Sequence, residues 1–297
     1  MMKHTKMPRL KVVRPKDNFK PVLEFSKPVK IIGGILLALI VVSIFLPIIF
    51  TMLYSVFPSG LIPNIQSIQD IVDNVTFQGY QDVFRQLPFV RIIGNSIFVS
   101  LVSTVLQVMV SFMAAYALTH WDYPGKNYIF GLIIVVMIIP SVALYIPNYM
   151  LISDLGMVKK FSGVIIPGIA NAYGMFLMRQ FFSIVPKSLV EACRIDGGSE
   201  LRILRHVYLP ICLPAVMALF IILFVGNWND YQWPMLILQD PSTITLPLAV
   251  VRFHNEGVIE LMPTAAACLI SIGPVLLAYL FMQKQIVETF ASSATKE

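Results

Sequence analysis

The chain has 297 residues, of which 57% are hydrophobic and only 13% charged, with a formal net charge of +6. Soluble domains carry about 25% charged residues, so this balance and a mean hydropathy of +0.77 exclude an ordinary water-soluble domain. The pI near 9.2 asks for no nucleic-acid partner, because basic segments beside anionic membrane lipid account for it.

Residues 1–30 form a basic tail with nine Lys or Arg and four prolines (Pro8, Pro15, Pro21 and Pro28), a composition expected to be poorly ordered. The tail is too long for a cleavable signal, and the apolar run after it lacks a small-residue cleavage site. Runs free of Asp, Glu, Lys and Arg then cover 31–69, 92–121, 127–153, 161–178, 206–229 and 261–283. A spanning helix needs roughly 20 apolar residues. The expectation is therefore an all-α membrane protein whose six transmembrane helices occupy residues 31–283.

The first span, about 31–57, contains Pro47 and is expected to kink there. Pro58 to Val90 follows as an exterior segment too short for a folded domain. The second span, about 92–118, ends at Trp121–Lys126, where Pro124-Gly125 suits a type II turn. The third, about 128–150, carries Pro140 and Pro147. The fourth, about 162–182, carries Pro167 and Gly168, with Arg179 expected to snorkel. Such breaks are tolerated where neighbours or a water-filled cavity satisfy the freed carbonyls. The fifth span covers about 208–229 and the sixth about 263–283. The short run 241–251, holding Pro241 and Pro247, reads as loop, and residues 284–297 as a polar tail.

The Lys/Arg census orients these spans: 17 fall on the side of the termini and five on the other. Both termini and the loop 183–210 are thus expected to be cytoplasmic.

Several chemistries have no residues to carry them. No phosphate-cradling G-x-x-x-x-G-K-[ST] occurs, and His4, His120, His206 and His254 form no metal motif. Cys193, Cys212 and Cys268 are odd in number and read as apolar fillers. The spans are almost free of ionisable groups, which argues against an ion-coupled carrier or channel working alone. No catalytic, cofactor or metal residues are expected, and the chain is not expected to be an enzyme. In the second span Ser96, Ser100, Ser103, Gln107 and Ser111 recur at three- and four-residue steps. That stripe either lines a solute path, with Asn171, Asn227 and Trp228, or hydrogen-bonds to adjacent helices. Trp228, Tyr231 and Trp233 read first as interfacial anchors.

The most specific segment is Glu191 to Pro210, EACRIDGGSELRILRHVYLP. Glu191 to Asp196 has no helix breaker, Gly197-Gly198 permits positive φ, and Ser199 is placed to cap a second helix running into Pro210. On that second helix Leu201, Leu204 and Tyr208 are expected on one face, with Ile203 and Val207 beside it. The segment resembles the EAA loop of permease subunits in binding-protein-dependent ABC importers. That pattern is Glu-Ala-Ala, three residues, Gly, nine residues, Ile, one residue, Leu-Pro. Here Glu191, Ala192, Gly197, Leu209 and Pro210 match, while Cys193 and Val207 are exchanges that keep every spacing.

Ala172–Phe182, Trp228–Asp230 with Trp233-Pro234, and Tyr116–Leu118 with Pro124-Gly125 are similar to the carbohydrate branch. The likeness covers about residues 78–283 and is closest to the maltose-type permease that lacks a large exterior domain. It implies a type I ABC importer permease fold in a bacterial or archaeal cytoplasmic membrane. It also implies a second permease, an ATPase dimer carrying ATP and Mg, and an external solute-binding protein. The coupling residues would be Glu191, Ala192, Cys193, Asp196, Gly197, Val207, Leu209 and Pro210. A permease for another solute, such as glycerol phosphate, a peptide or an amino acid, shares the loop.

Overall fold

The computed structural model describes residues 27–58, 69, 73–86, 88–255 and 261–294. Expectations for the tail before Lys27 and for most of 59–72 lie outside these residues. The described residues are almost wholly helical, with no strand among them. The chain divides at Ile49–Phe50 into two compact units. The first consists, in its described part, of the N-terminal stretch of α1 (Lys27–Val56). That helix runs through Pro47 and is the most hydropathic of the spans.

The second unit continues with α2 (Gln78–Gln86), α3 (Phe89–His120), α4 (Lys126–Ile138), a 3-10 turn over Ser141–Leu144 and α5 (Tyr145–Asp154). It goes on through α6 (Phe161–Gly168), α7 (Ala172–Phe182), α8 (Lys187–Ile195), α9 (Glu200–Ile203) and α10 (Leu209–Asn229). It closes with α11 (Gln232–Ile237), α12 (Leu246–Asn255) and α13 (Leu261–Ala294). Four stretches are continuous helices long and apolar enough to cross a membrane. Two bent pairs bring the number to six if each pair is one crossing. One pair turns by 97° between α4 and Ser141–Asp154, and the other by 43° between α6 and α7. Pro140 stands at the first break and Pro167 with Gly168 at the second, where a missing N–H removes a helical bond.

Three expected boundaries move. Residues 241–251 are not all loop, because α12 begins at Leu246 with Pro247 in its first turn, where the absent N–H costs nothing. The fifth span does not start at 208 but forms one helical run from Glu200 to Asn229. Its turn over Leu204–Tyr208 is a π-turn, with the Leu209 N–H reaching back to the Leu204 carbonyl. Pro210 cannot supply the next regular bond, and its ring crowds the turn before it. The sixth helix continues past 283 to Ala294.

α3 is the organising element. It packs on α7, α10 and α6, while α10 packs on α13 and α13 on α2. Its buried stripe is polar: Ser96, Ser100, Ser103, Thr104, Gln107 and Ser111 face protein. Phe98, Leu101, Val105, Met109 and Met113 point outward. Small side chains let helices approach without a hydrophobic drive between them, which lipid cannot provide. The Ser111 Oγ accordingly lies only 2.4 Å from where a Cβ on Gly174 of α7 would sit. Two apolar clusters flank the polar middle. One gathers Ile92, Trp228, Trp233, Ile237 and Leu246, and the other Ala115, Tyr116, Met178, Phe182, Ile203 and Tyr208.

Candidate functional site

Beside the first of these clusters, within the second unit, lies a cavity of about 870 Å³. Six of the eight predicted path residues line it, namely Ser100, Ser103, Gln107, Asn171, Asn227 and Trp228; Ser111 packs against Gly174 instead. Ser96 does not line it either. Its Oγ accepts the Leu246 N–H at 2.6 Å and donates to the Ile92 carbonyl at 3.0 Å, so it caps α12 from across the chain.

At the cavity's centre the Gln107 and Asn227 amides face each other. The Asn227 Nδ2 donates to Gln107 Oε1 at 2.9 Å and to Thr104 Oγ1 at 2.9 Å. The Gln107 Nε2 donates to the Gly168 carbonyl at 3.0 Å. That carbonyl ends α6, where the helical ladder stops, and the amide satisfies it. The break in the fourth crossing is thus stabilised by a side chain of the second. Asn171 occupies the N-cap of α7, its Oδ1 accepting the Gly174 N–H at 2.8 Å.

Trp228 is 1% exposed, and its indole donates to the Ser271 carbonyl at 3.1 Å. Trp233 is also buried and donates to the Gly163 carbonyl at 3.2 Å. Both are therefore fixed in the protein interior rather than anchored at an interface. Tyr231 and Tyr145 also line the cavity. Asp230 caps α11, its Oδ1 accepting the Gln232 and Trp233 N–H groups, and burial raises its carboxyl pKa.

The loop has the geometry its spacing predicts at its centre. Gly197 has φ +76, a left-handed conformation that favours glycine. The Gly198 N–H reaches the Cys193 carbonyl at 2.9 Å and the Gly197 N–H the Arg194 carbonyl at 3.1 Å. These two bonds make a Schellman motif ending α8. A Cβ on Gly198 would meet the Cys193 carbonyl at 2.6 Å and its Sγ at 2.7 Å, so the turn is closed on both residues. Ser199 stands at the N-cap of α9 but makes no side-chain capping bond.

The eight predicted coupling residues divide between two surroundings. Glu191, Ala192, Asp196, Gly197 and Pro210 are exposed, as is Leu209 at 37%. Cys193 is half-buried and Val207 lies in the core. Leu201 is 72% exposed, contrary to the expected face. The buried face is Ile203, Val207 and Tyr208, because the extra residue in the π-turn rotates everything before it.

What holds the loop to the bundle was not predicted. The Tyr116 hydroxyl donates to the Glu200 carboxylate, which also accepts from Arg194 Nη2 at 2.8 Å and pairs with His120 Nε2 at 3.2 Å. The His120 ring stacks on Tyr116 with centroids 4.5 Å apart, and Tyr208 meets Tyr116 edge-on at 5.2 Å. This knot ties the start of α9 and the end of α8 to the last turn of α3. At the same end, the turn after α3 has Gly125 at φ +86, ψ −7, as position i+2 of a type II turn requires. Arg179 stands 3.7 Å over the Phe130 ring, a cation–π contact in place of free snorkelling. Among the described residues the three cysteines are free and no metal-binding cluster forms.

Bent crossings around a cavity lined by side-chain amides, with an exposed helical loop fixed at one end, form an arrangement that suits a membrane permease. Residues 107–289 match the family described as binding-protein-dependent transport system inner membrane component. The chain belongs to that family and is a transport subunit, a multi-pass protein of the inner membrane. It is 29% identical over 274 residues to the sn-glycerol-3-phosphate transport system permease protein UgpE of Brucella abortus (strain 2308), covering 89% of this chain and 96% of that one. It is 32% identical over 238 residues to the UgpE of Shigella dysenteriae serotype 1 (strain Sd197), covering 80% and 84%. Among solved structures it resembles a chain of a bacterial ABC transporter involved in import of the acidic polysaccharide alginate, with TM-score 0.78 and 24% identity over 89% of this chain and 99% of that one. A chain of the bacterial alginate transporter in complex with a pentasaccharide-bound periplasmic protein gives TM-score 0.62 at 14% identity, over 86% and 93%. These last two likenesses carry the fold, a type I ABC importer permease.

Proposed function

We propose that this chain forms half of the translocation path of an ATP-driven importer for a sugar or oligosaccharide. A second permease forms the other half, an external binding protein delivers the solute, and an ATPase dimer holding ATP and Mg docks on the Glu191–Pro210 loop. The loop and both termini face the cytoplasm of a bacterial or archaeal cell. The observation that carries the reading is the loop itself. It presents Glu191, Ala192 and the apolar Ile195, which is 85% exposed, on a helix pinned to α3. An exposed acid among apolar neighbours on a rigid support suits a protein partner. A push from that partner passes through Glu200 and Tyr116 into the helix that lines the cavity.

The test is Glu191→Ala in the assembled importer. We expect correct membrane insertion with transport and solute-stimulated ATP hydrolysis reduced at least tenfold, in line with the cost of about 3–5 kcal/mol for breaking a buried charge pair on one side. Wild-type transport would remove the coupling role. A second reading, import of a glycerol phosphate, is favoured by what the UgpE relatives are named for.

A further inference from the structure

We infer that the cavity admits a solute without net negative charge, a neutral polyhydroxylated compound, and excludes phosphorylated and uronate-bearing ones. The inference rests on reading this cavity as the solute path. Among the described residues no Lys, Arg or His lines it, and Asp230 is its one carboxylate. An anion leaving water for such a wall meets no opposite charge, and neutral side-chain amides replace its hydration only in part. Three basic side chains on the adjoining elements are turned to other work: Arg179 lies over Phe130, Arg252 donates to the Leu238 carbonyl, and Lys160 to the Gly156 carbonyl. The N-terminus of α7 opens towards the cavity, where a helix end favours negative charge. Asn171 already occupies its Gly174 N–H. The N-terminus of α11 is likewise occupied, by Asp230.

The lining offers the opposite chemistry in quantity. Gln107, Asn148, Asn171, Asn227, Asn229 and Gln232 supply amides that both donate to and accept from hydroxyls. Tyr145, Tyr173 and Tyr231 add rings that cover the C–H faces of a sugar. Asp230 accepts hydrogen bonds from hydroxyls when ionised, and the ionised carboxylate repels an anion. This chain's chemistry therefore parts from that of the relatives named for glycerol phosphate, and from the neighbour that imports an acidic polysaccharide.

The test measures the cavity's potential in the assembled importer. Ser103→Cys and, separately, Asn148→Cys are placed in a chain whose Cys193, Cys212 and Cys268 are alanine. Each is treated with a cationic thiosulfonate (MTSET) and an anionic one (MTSES), with rates normalised to a free thiol. We expect the cationic reagent to be faster on the order of tenfold, with the ratio falling when Asp230→Asn is added. Equal rates, or a faster anionic reagent, would overturn the inference by revealing a cation that the second permease contributes. Failure of both reagents at both positions would instead sink the reading of the cavity as a path. ATP-dependent uptake of sn-glycerol 3-phosphate by proteoliposomes holding the same importer would also overturn the inference while leaving the permease reading intact.

Discussion

At the last turn of α3, Glu200 draws in a tyrosine, a histidine and an arginine, whereas at its middle Gln107 and Asn227 exchange hydrogen bonds without a formal charge. Both assemblies join segments far apart in sequence, and both hang on the same helix. Glu200 and Arg194 are each about half exposed, so water offsets the cost of their charges. The amide pair sits in the bundle's interior, where a charge without a partner costs several kcal/mol. Amides there hold the α6 break closed and leave hydroxyl-compatible groups facing the cavity. The difference teaches where this chain places paired charges: at the half-exposed end of α3, where water offsets their cost, and not among the amides at its buried middle.

Breaking the charged knot should have the largest effect. Glu200→Ala leaves the Tyr116 hydroxyl without its acceptor and removes the carboxylate beside Arg194 and the His120 ring, whose side chain is 5% exposed. We expect a loss of about 2–3 kcal/mol and protease sensitivity between residues 183 and 200, with the cavity unchanged. Limited proteolysis with and without the substitution reads this directly. Loop cleavage equal to wild type would show that the knot does not hold α8 and α9.

The amide layer should yield less, because hydrogen bonds between membrane helices average about 0.6 kcal/mol with a maximum near 1.7. Gln107→Leu strands the Gly168 carbonyl and one face of Asn227, and should cost about 1–2 kcal/mol in detergent melts. Adding Asn227→Leu should cost less than the sum of the two single changes, since it removes the stranded partner. Strict additivity would mean that the two amides stabilise the bundle independently.

How much of this was readable follows from what sequence encodes at short range. The loop's turn was legible because Gly197 and Gly198 act within a few residues of Cys193 and Arg194. Hydropathy alone located the four continuous crossings and the two bent pairs that bring the number to six if each is one crossing. Pro140 and Pro167 marked the two breaks, but their angles depend on which neighbours take up the freed carbonyls, and Gln107 lies 61 residues from Gly168. The partner of Glu200 was out of reach for the same reason, with Tyr116 at a separation of 84. Leu201 was misplaced because α-helical periodicity assumes no π-turn, and Pro247 was misread as a breaker where it starts a helix. The path residues came together except Ser96 and Ser111, because a serine hydroxyl looks the same in sequence whether it faces solute, a backbone N–H or a neighbouring helix.

A smaller effect tests close packing between the two assemblies. Gly174→Ala places a methyl 2.4 Å from Ser111 Oγ, a hydroxyl that has no hydrogen-bond partner among the described residues. We expect a cost of about 1 kcal/mol as the serine is pushed aside. Ser111→Ala alone should be neutral or mildly stabilising, and the double change should recover most of the loss. A double variant as unstable as Gly174→Ala alone would place the clash elsewhere along α3 and α7.

The smallest effect concerns the charge nearest the cavity and turns on its sign with pH. Burial raises the Asp230 carboxyl pKa, so the folded chain binds this proton more tightly than the unfolded chain. Its contribution therefore favours folding below the unfolded carboxylate pKa of about 3.9, and is lost as pH rises through the higher folded value. Asp230→Asn keeps an oxygen to accept the Gln232 and Trp233 N–H groups while removing the buried charge. The variant should melt slightly above wild type at neutral pH, with the gap closing as pH falls towards the carboxylate range. A gap independent of pH would assign the change to packing or capping. A variant less stable at neutral pH would mean that the ionised carboxylate strengthens the α11 cap by more than its burial costs.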